Sequence, residues 1–181
     1  MTVAEAPVVV AEPAPAPAEA EPPTQQGIAI ICYSGDLEKT WAGMILASTA
    51  ASMGLPTKVF VTFWGLQTFV KDGRRVTGQN WMQKMLALMS RPGIKHRKLS
   101  KMNFLGMGPW MMFKLAKRYG VSSPAELLEA AQLMGVEFVP CQMTMDLFGL
   151  TRDDLIEGMG EPVGAATYLS YVADGASPIF I

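Results

Sequence analysis

Seven residues, Gly27–Tyr33 (GIAIICY), constrain the fold more than any other part of this chain. The run is short, isoleucine-rich and without polar alternation, so it reads as a strand buried on both faces. It stops at Ser34-Gly35-Asp36. Leu37 to Met53 then reads as a helix rich in Ala, Ser and Thr, with Leu37, Trp41, Met44 and Ile45 as its apolar stripe. Gly54 closes it as a C′ residue, and Asp36 is the candidate N-cap. Thr57–Phe63 (TKVFVTF) is a second strand. Strand, helix and strand in so short a span form a βαβ unit, whose two strands must be parallel.

The alternation continues downstream. A helix is expected near Asn80–Ser90, followed by the turn Arg91-Pro92-Gly93 and a loop, Ile94–Met102. A further helix runs from about Pro109 to Tyr119. Ser123, Pro124 and Glu126 fit N-cap, N1 and N3 of a capping box, which opens another helix that Gly135 ends. Val136–Val139 is a third strand, followed by a helical turn to about Phe148. Thr151-Arg152-Asp153-Asp154 is expected to open a helix, Ala165–Ala173 is a further helical stretch, and Pro178–Ile181 is a last edge strand. The expected fold is a single α/β domain over residues 27–181, with a parallel or mostly parallel sheet and helices on both faces.

Residues 1–26 are different. They hold six prolines, seven alanines and four glutamates, and no base. This composition predicts a disordered acidic arm, and it fits neither a secretory signal nor a transit peptide. No stretch reaches the ~20 apolar residues of a membrane span, so a soluble cytoplasmic protein is expected.

The charges are segregated. The whole chain carries 15 bases and 16 acids. Yet Gly73–Ala125 contains eleven bases and no acid, while Glu126–Ile181 contains one base and nine acids. The central block is either a solvated face or a surface that meets anions or an acidic partner. Seven of the fourteen methionines lie between Met82 and Met112, among Trp81, Phe104 and Trp110. They form part of a core, or an adaptable apolar surface for a partner or a peripheral membrane contact. No nucleic-acid motif accompanies the bases, and no nucleic-acid partner is expected.

One histidine, His96, and two cysteines, Cys32 and Cys141, leave no ligand set for a zinc or iron site. No Rossmann glycine fingerprint or P-loop occurs, and no cofactor is expected. His96, among Lys95, Arg97 and Lys98, reads as a surface residue. Asp153 and Asp154 sit where helices favour acids, and read as structural.

Both cysteines fall at carboxyl ends of strands, the edge where α/β sheets collect ligands and chemistry. Cys141 follows Pro140 and leads into a helical turn, where unpaired N–H groups and the helix dipole favour thiolate. Position alone leaves it open between a reactive thiol and a small core residue. Cys32, inside an apolar run, reads first as core, with a second-thiol role as the alternative.

The order of motifs carries more. SGDLEK (Ser34–Lys39), TFWGLQ (Thr62–Gln67), NFLGMGPWMMFKLAKRYGV (Asn103–Val121), SPAELLEAAQLMGVEFVPCQMTMDLFGL (Ser123–Leu150), GAATYLSYV (Gly164–Val172) and a terminal IFI follow one another. In this the chain resembles the DsrE/DsrF-like sulfur-relay family, in the longer branch labelled peroxiredoxin family protein. The resemblance implies a parallel α/β fold and a homo-oligomer. It also implies sulfane sulfur carried on a cysteine as persulfide or thiosulfonate, with TusA-like or rhodanese-like proteins and small anionic sulfur species as partners. The family's sulfur-carrying cysteine corresponds to Cys141. Cys32 has no such motif around it. Phe138 stands where a peroxidatic Thr-x-x-Cys setting would place threonine, which argues against peroxide chemistry at Cys141. Two other readings follow from the residues: a Cys32/Cys141 redox switch, and a non-catalytic adaptor or peripheral membrane component.

Overall fold

The computed structural model describes residues 27–73, 80–89 and 92–181. The acidic arm lies outside them, as do Arg74, Arg75 and Arg91 of the basic block. Four strands form one parallel sheet: β1 (Ile28–Cys32), β2 (Thr57–Val61), β3 (Glu137–Pro140) and β4 (Ser177–Phe180). Their order is β3-β2-β1-β4. Ile30 pairs with Val59 on one side and Ile179 on the other, and Val61 pairs with Pro140. The central strands are β1 and β2, which explains the apolar runs Ile28–Cys32 and Val59–Val61. Pro140 and Pro178 fall on the two edge strands, where a missing N–H breaks no ladder.

Parity along the strands divides the core. Ile30, Cys32, Val59, Val61 and Phe138 point to one face. There they meet Met44 and Ala47 of α1 (Leu37–Ser52) and Leu128 and Ala131 of α5 (Pro124–Leu133). Ala29, Phe60 and Cys141 point to the other face and meet Tyr168 of α7 (Ala165–Ala173). Tyr168 donates its hydroxyl to the Ala29 carbonyl at 3.1 Å, which locks α7 over β1. Helices therefore lie on both faces, as the alternation requires.

The other helices are α2 (Phe63–Leu66), α3 (Trp81–Met89), α4 (Met107–Arg118) and α6 (Gln142–Phe148). The capping box at α5 forms in full. Glu126 N donates to Ser123 Oγ at 3.3 Å, and Ser123 N donates to the Glu126 carboxylate at 2.7 Å. Hydrogen bonding from Ser123, its backbone N–H first, holds the Glu126 carboxyl below the usual range.

Three expectations shift. Asp36 occupies the N-cap position of α1 but does not cap with its side chain. Its carboxylate accepts from Ser34 Oγ and Lys39 Nζ, both at 2.9 Å. The first helical N–H, that of Leu37, donates instead to the Lys98 carbonyl at 2.8 Å. A distant backbone group thus satisfies the first N–H of the helix. Helix α4 begins two residues early, at Met107, because the left-handed Gly106 before it supplies the entry turn. Thr151 opens only a 3-10 turn, Arg152–Asp154, in which Asp154 accepts from both Thr151 N and Oγ1 at 2.7 Å. Its role is structural.

Candidate functional site

Three βα turns stand side by side on the carboxyl edge of the sheet. Cys141 follows β3, Thr62-Phe63-Trp64-Gly65 follows β2, and Ser34-Gly35-Asp36 follows β1. Thr144, on α6, ties the first two together. Its hydroxyl accepts from Phe63 N at 3.1 Å and shares a hydrogen bond with Thr62 Oγ1 at 3.0 Å. Phe63 has φ 45°, a left-handed conformation uncommon for a bulky residue. Thr144 is fully buried. The sequence offered one sign of it: a hydroxyl beside Met145 on the inward face of an otherwise apolar turn.

Cys141 is the N-cap residue of α6. Its N–H donates to the Val61 carbonyl at 2.9 Å, and its carbonyl accepts from Met145 N at 3.0 Å. The residue is 4% exposed. It shares the α7 face with Phe60 and Tyr168, beside Val163. Val163 belongs to a strap that runs along β3. Val163 N donates to Pro140 O and Gln142 N donates to Val163 O, each at 3.0 Å, while Gly160 N donates to Phe138 O at 2.7 Å. Arg152 holds the strap from outside. Its Nη atoms donate to the carbonyls of Gly160 (3.0 Å) and Met159 (3.1 Å), and it pairs with Glu161 at 2.8 Å. A shallow groove on the same sheet face, lined by Lys58, Phe60, Val139, Val163 and Tyr171, ends at this cover.

Arg152→Ala removes the clasp without touching the thiol. Losing about 1 kcal/mol of local stability raises the open fraction roughly fivefold. Alkylation of Cys141 by iodoacetamide under native conditions, followed by mass spectrometry, is expected to speed up by about that factor. An unchanged rate would mean that the strap does not govern access.

Cys32 lies elsewhere. It is 5% exposed and sits in the core under α1, where its Sγ stands 3.1 Å from the point a Cβ on Gly43 would occupy. Burial pushes its thiol up to about 12. Cys32 is in register with Val61, and Val61 with Pro140. Strand β2 thus separates the two cysteines, and they point to opposite faces. Two strand spacings come to about 10 Å, beyond the ~7 Å reach of a disulfide. The fold does not bring the two thiols together.

The raised value for Cys32 has a defined sign. An unfolded thiol ionises near its ordinary 9.0 while the folded one stays neutral to about 12. The stability it contributes is complete below pH 9 and declines as pH rises from there to about 12, by at most ~1.4 kcal/mol per pH unit. Urea unfolding of the wild type and Cys32→Ala is expected to show a steeper loss for the wild type over this window. Parallel pH profiles would show that Cys32 does not carry that loss.

The basic loop reaches the same edge from the β1 side. Arg97 Nε donates to Gly93 O at 3.1 Å, and its guanidinium lies against Gly35. Burial lowers the Arg97 pKa, opposed by the charge of Asp36, and an arginine remains protonated under these conditions. His96 is exposed. Among the described residues, no group of three His, Cys, Asp or Glu side chains is placed to hold a metal ion.

This fold and edge define a class: a parallel α/β protein with one cysteine at the head of the helix that follows an edge strand. The chain belongs to the DsrE/DsrF/DrsH-like family, which it matches over residues 24–180. It is 37% identical over 152 residues to the uncharacterized protein YrkE of Bacillus subtilis, a match covering 84% of this chain and 94% of the relative. It is 34% identical over 168 residues to the sulfur carrier protein DsrE2 of Allochromatium vinosum, covering 87% and 99%. Among solved structures, the ychN protein from E. coli shares the fold, with TM-score 0.53 at 12% identity, over 86% of this chain and 99% of that one.

Proposed function

We propose that the protein is a sulfur carrier that holds sulfane sulfur on Cys141 and passes it to an acceptor thiol. The observation that carries this reading is the place of Cys141, the residue between an edge strand and α6, beside a strap held by β3 and by Arg152. Similarity along almost the whole length of a protein named as a sulfur carrier supports it. Loading from thiosulfate is thiolate attack on the outer sulfur. The S–S bond of thiosulfate breaks, sulfite leaves, and a persulfide remains on the cysteine. With tetrathionate, attack on an S–S bond releases thiosulfate and leaves a thiosulfonate adduct. Neither step needs a metal or a redox cofactor. The basic residues beside this edge suit anionic donors and an acidic docking partner of the TusA-like or rhodanese-like kind. Exposed Leu169 on α7 and Phe180 on edge strand β4 suit a homo-oligomer, and the proposed setting is the cytoplasm.

The full chain incubated with tetrathionate, or with thiosulfate, is expected to gain the mass of one adduct. Peptide mapping is expected to place it at Cys141. An adduct found only on Cys32, or no adduct with any donor, would overturn the assignment.

A further inference from the structure

Helix α4 is poorly covered by the rest of the fold. None of its twelve residues is buried. Phe113 stacks on Trp41 at 5.4 Å between ring centroids and attaches the helix to α1. That leaves Met107, Trp110, Met111 and Leu115 about half exposed or more. Just ahead, the backbone is left-handed at Met102 (φ 60°), Phe104 (φ 35°), Leu105 (φ 54°) and Gly106 (φ 98°). This turn projects two large apolar side chains: Phe104 is 64% exposed, and Leu105 is exposed completely.

The segment's own charges have one sign. No acid occurs between Gly73 and Ala125. On a helix of 3.6 residues per turn, Lys114 and Arg118 fall on the same face as Met107, Met111 and Leu115. Lys114 Nζ sits 4.9 Å from the Trp110 ring centroid. Glu38 of α1 reaches the segment, where its carboxylate accepts from Ser100 N and Oγ.

We propose that the 102–118 segment docks the protein on the surface of an anionic phospholipid bilayer. A convex tip with one wholly exposed leucine suits a partner that yields around it, and a bilayer does so. Lys101, Lys114, Lys117 and Arg118 meet the headgroup phosphates, while Phe104, Leu105 and Trp110 enter the acyl boundary. A second copy of this chain is the weaker fit. A symmetric contact through the same patch sets these four cations against their equivalents, with no acid in the segment to pair them. Among the described residues no helix is long and apolar enough to cross a membrane, so the contact is peripheral. The inference goes beyond the sulfur-carrier reading and does not depend on it.

The test is flotation of the full chain with vesicles of equal parts phosphatidylcholine and phosphatidylglycerol, against pure phosphatidylcholine, at low and high salt. The expected result is flotation with the anionic vesicles and weakening by salt. Leu105→Asp is expected to lower partitioning at least tenfold. It should fold, because aspartate tolerates the left-handed conformation better than leucine does. Lys117→Glu, on an exposed position, lowers it roughly fivefold or more. Sulfur loading of Cys141 stays at the wild-type level in both variants, which separates this proposal from the previous one. Equal flotation with neutral and anionic vesicles, or wild-type flotation of Leu105→Asp, would overturn it. So would a Leu105→Asp protein that changes oligomeric state in light scattering while its vesicle binding is unaltered, since the tip would then be a contact between copies.

Discussion

Cys141→Ser is expected to abolish sulfur loading outright. The hydroxyl of serine is a far weaker nucleophile than a thiolate at neutral pH, and it forms no bond to sulfane sulfur under these conditions. The loss should therefore reach the detection limit of intact-mass measurement with any donor. Cys32→Ala is the informative companion. Cys32 lies on the opposite face of the sheet, with its thiol pushed up to about 12, so loading should persist in that variant. Serine at 141 places a hydroxyl where the surroundings are Phe60, Tyr168 and Val163, which costs about 1–3 kcal/mol if it finds no partner. Near-ultraviolet circular dichroism of the variant separates lost chemistry from lost packing. A folded Cys141→Ser protein that still loads would remove Cys141 from the mechanism.

Gly65→Ala is expected to cost about 3 kcal/mol, at the upper end of overpacking effects. A Cβ at this position would overlap the Cys32 carbonyl oxygen, approach the Cys32 carbonyl carbon to 2.8 Å, and come within 3.2 Å of the Tyr33 carbonyl carbon. These are backbone atoms at the end of central strand β1 and of the residue after it, so they cannot swing aside as a side chain would. Gly65 N also donates to Tyr33 O at 2.9 Å, and any shift that relieves the overlap weakens this bond. In a chain of this size the change corresponds to a fall in Tm of roughly 10 °C. The displacement passes to Phe63 and from there to Thr144, so the Cys141 turn should loosen in the same variant and alkylate faster. Gly164→Ala is the control. Nothing stands within 4 Å of a Cβ there, and the cost should stay below about 1 kcal/mol. Equal melting temperatures for the two variants would show that close approach at Gly65 is not limiting.

Much of the fold is legible locally. A double-faced apolar run, a glycine stop and a serine–proline–glutamate start are short-range signals. Strands β1 and β2 and helices α1 and α5 accordingly stand within a residue or two of where pattern places them. The Thr151 segment shows the limit. It has the same capping signal as Ser123, yet the chain turns at Leu155, which is buried against the core, and the helix stops after one 3-10 turn. Local capping starts a helix, but long-range packing decides whether it continues. Asp36 makes the same point: its carboxylate bonds Ser34 and Lys39 instead of capping, while the first N–H of α1 meets the Lys98 carbonyl, 62 positions on from Asp36 in sequence.

The candidate site divides in the same way. That both cysteines follow apolar runs at strand ends is a matter of sequence alone. Which face each thiol takes is a matter of parity, which follows from register in the sheet: Cys32 aligned with Val61, and Val61 with Pro140 one residue before Cys141. The Arg152 clasp joins residues nine apart or fewer, but it stands beside the Cys141 turn only because the strap lies along β3. Period, caps and glycines thus determined which elements form, because these depend on neighbours in the chain. Strand order, the separation of the two thiols and the bare face of α4 were decided by tertiary structure, because each depends on which distant surfaces compete to be buried.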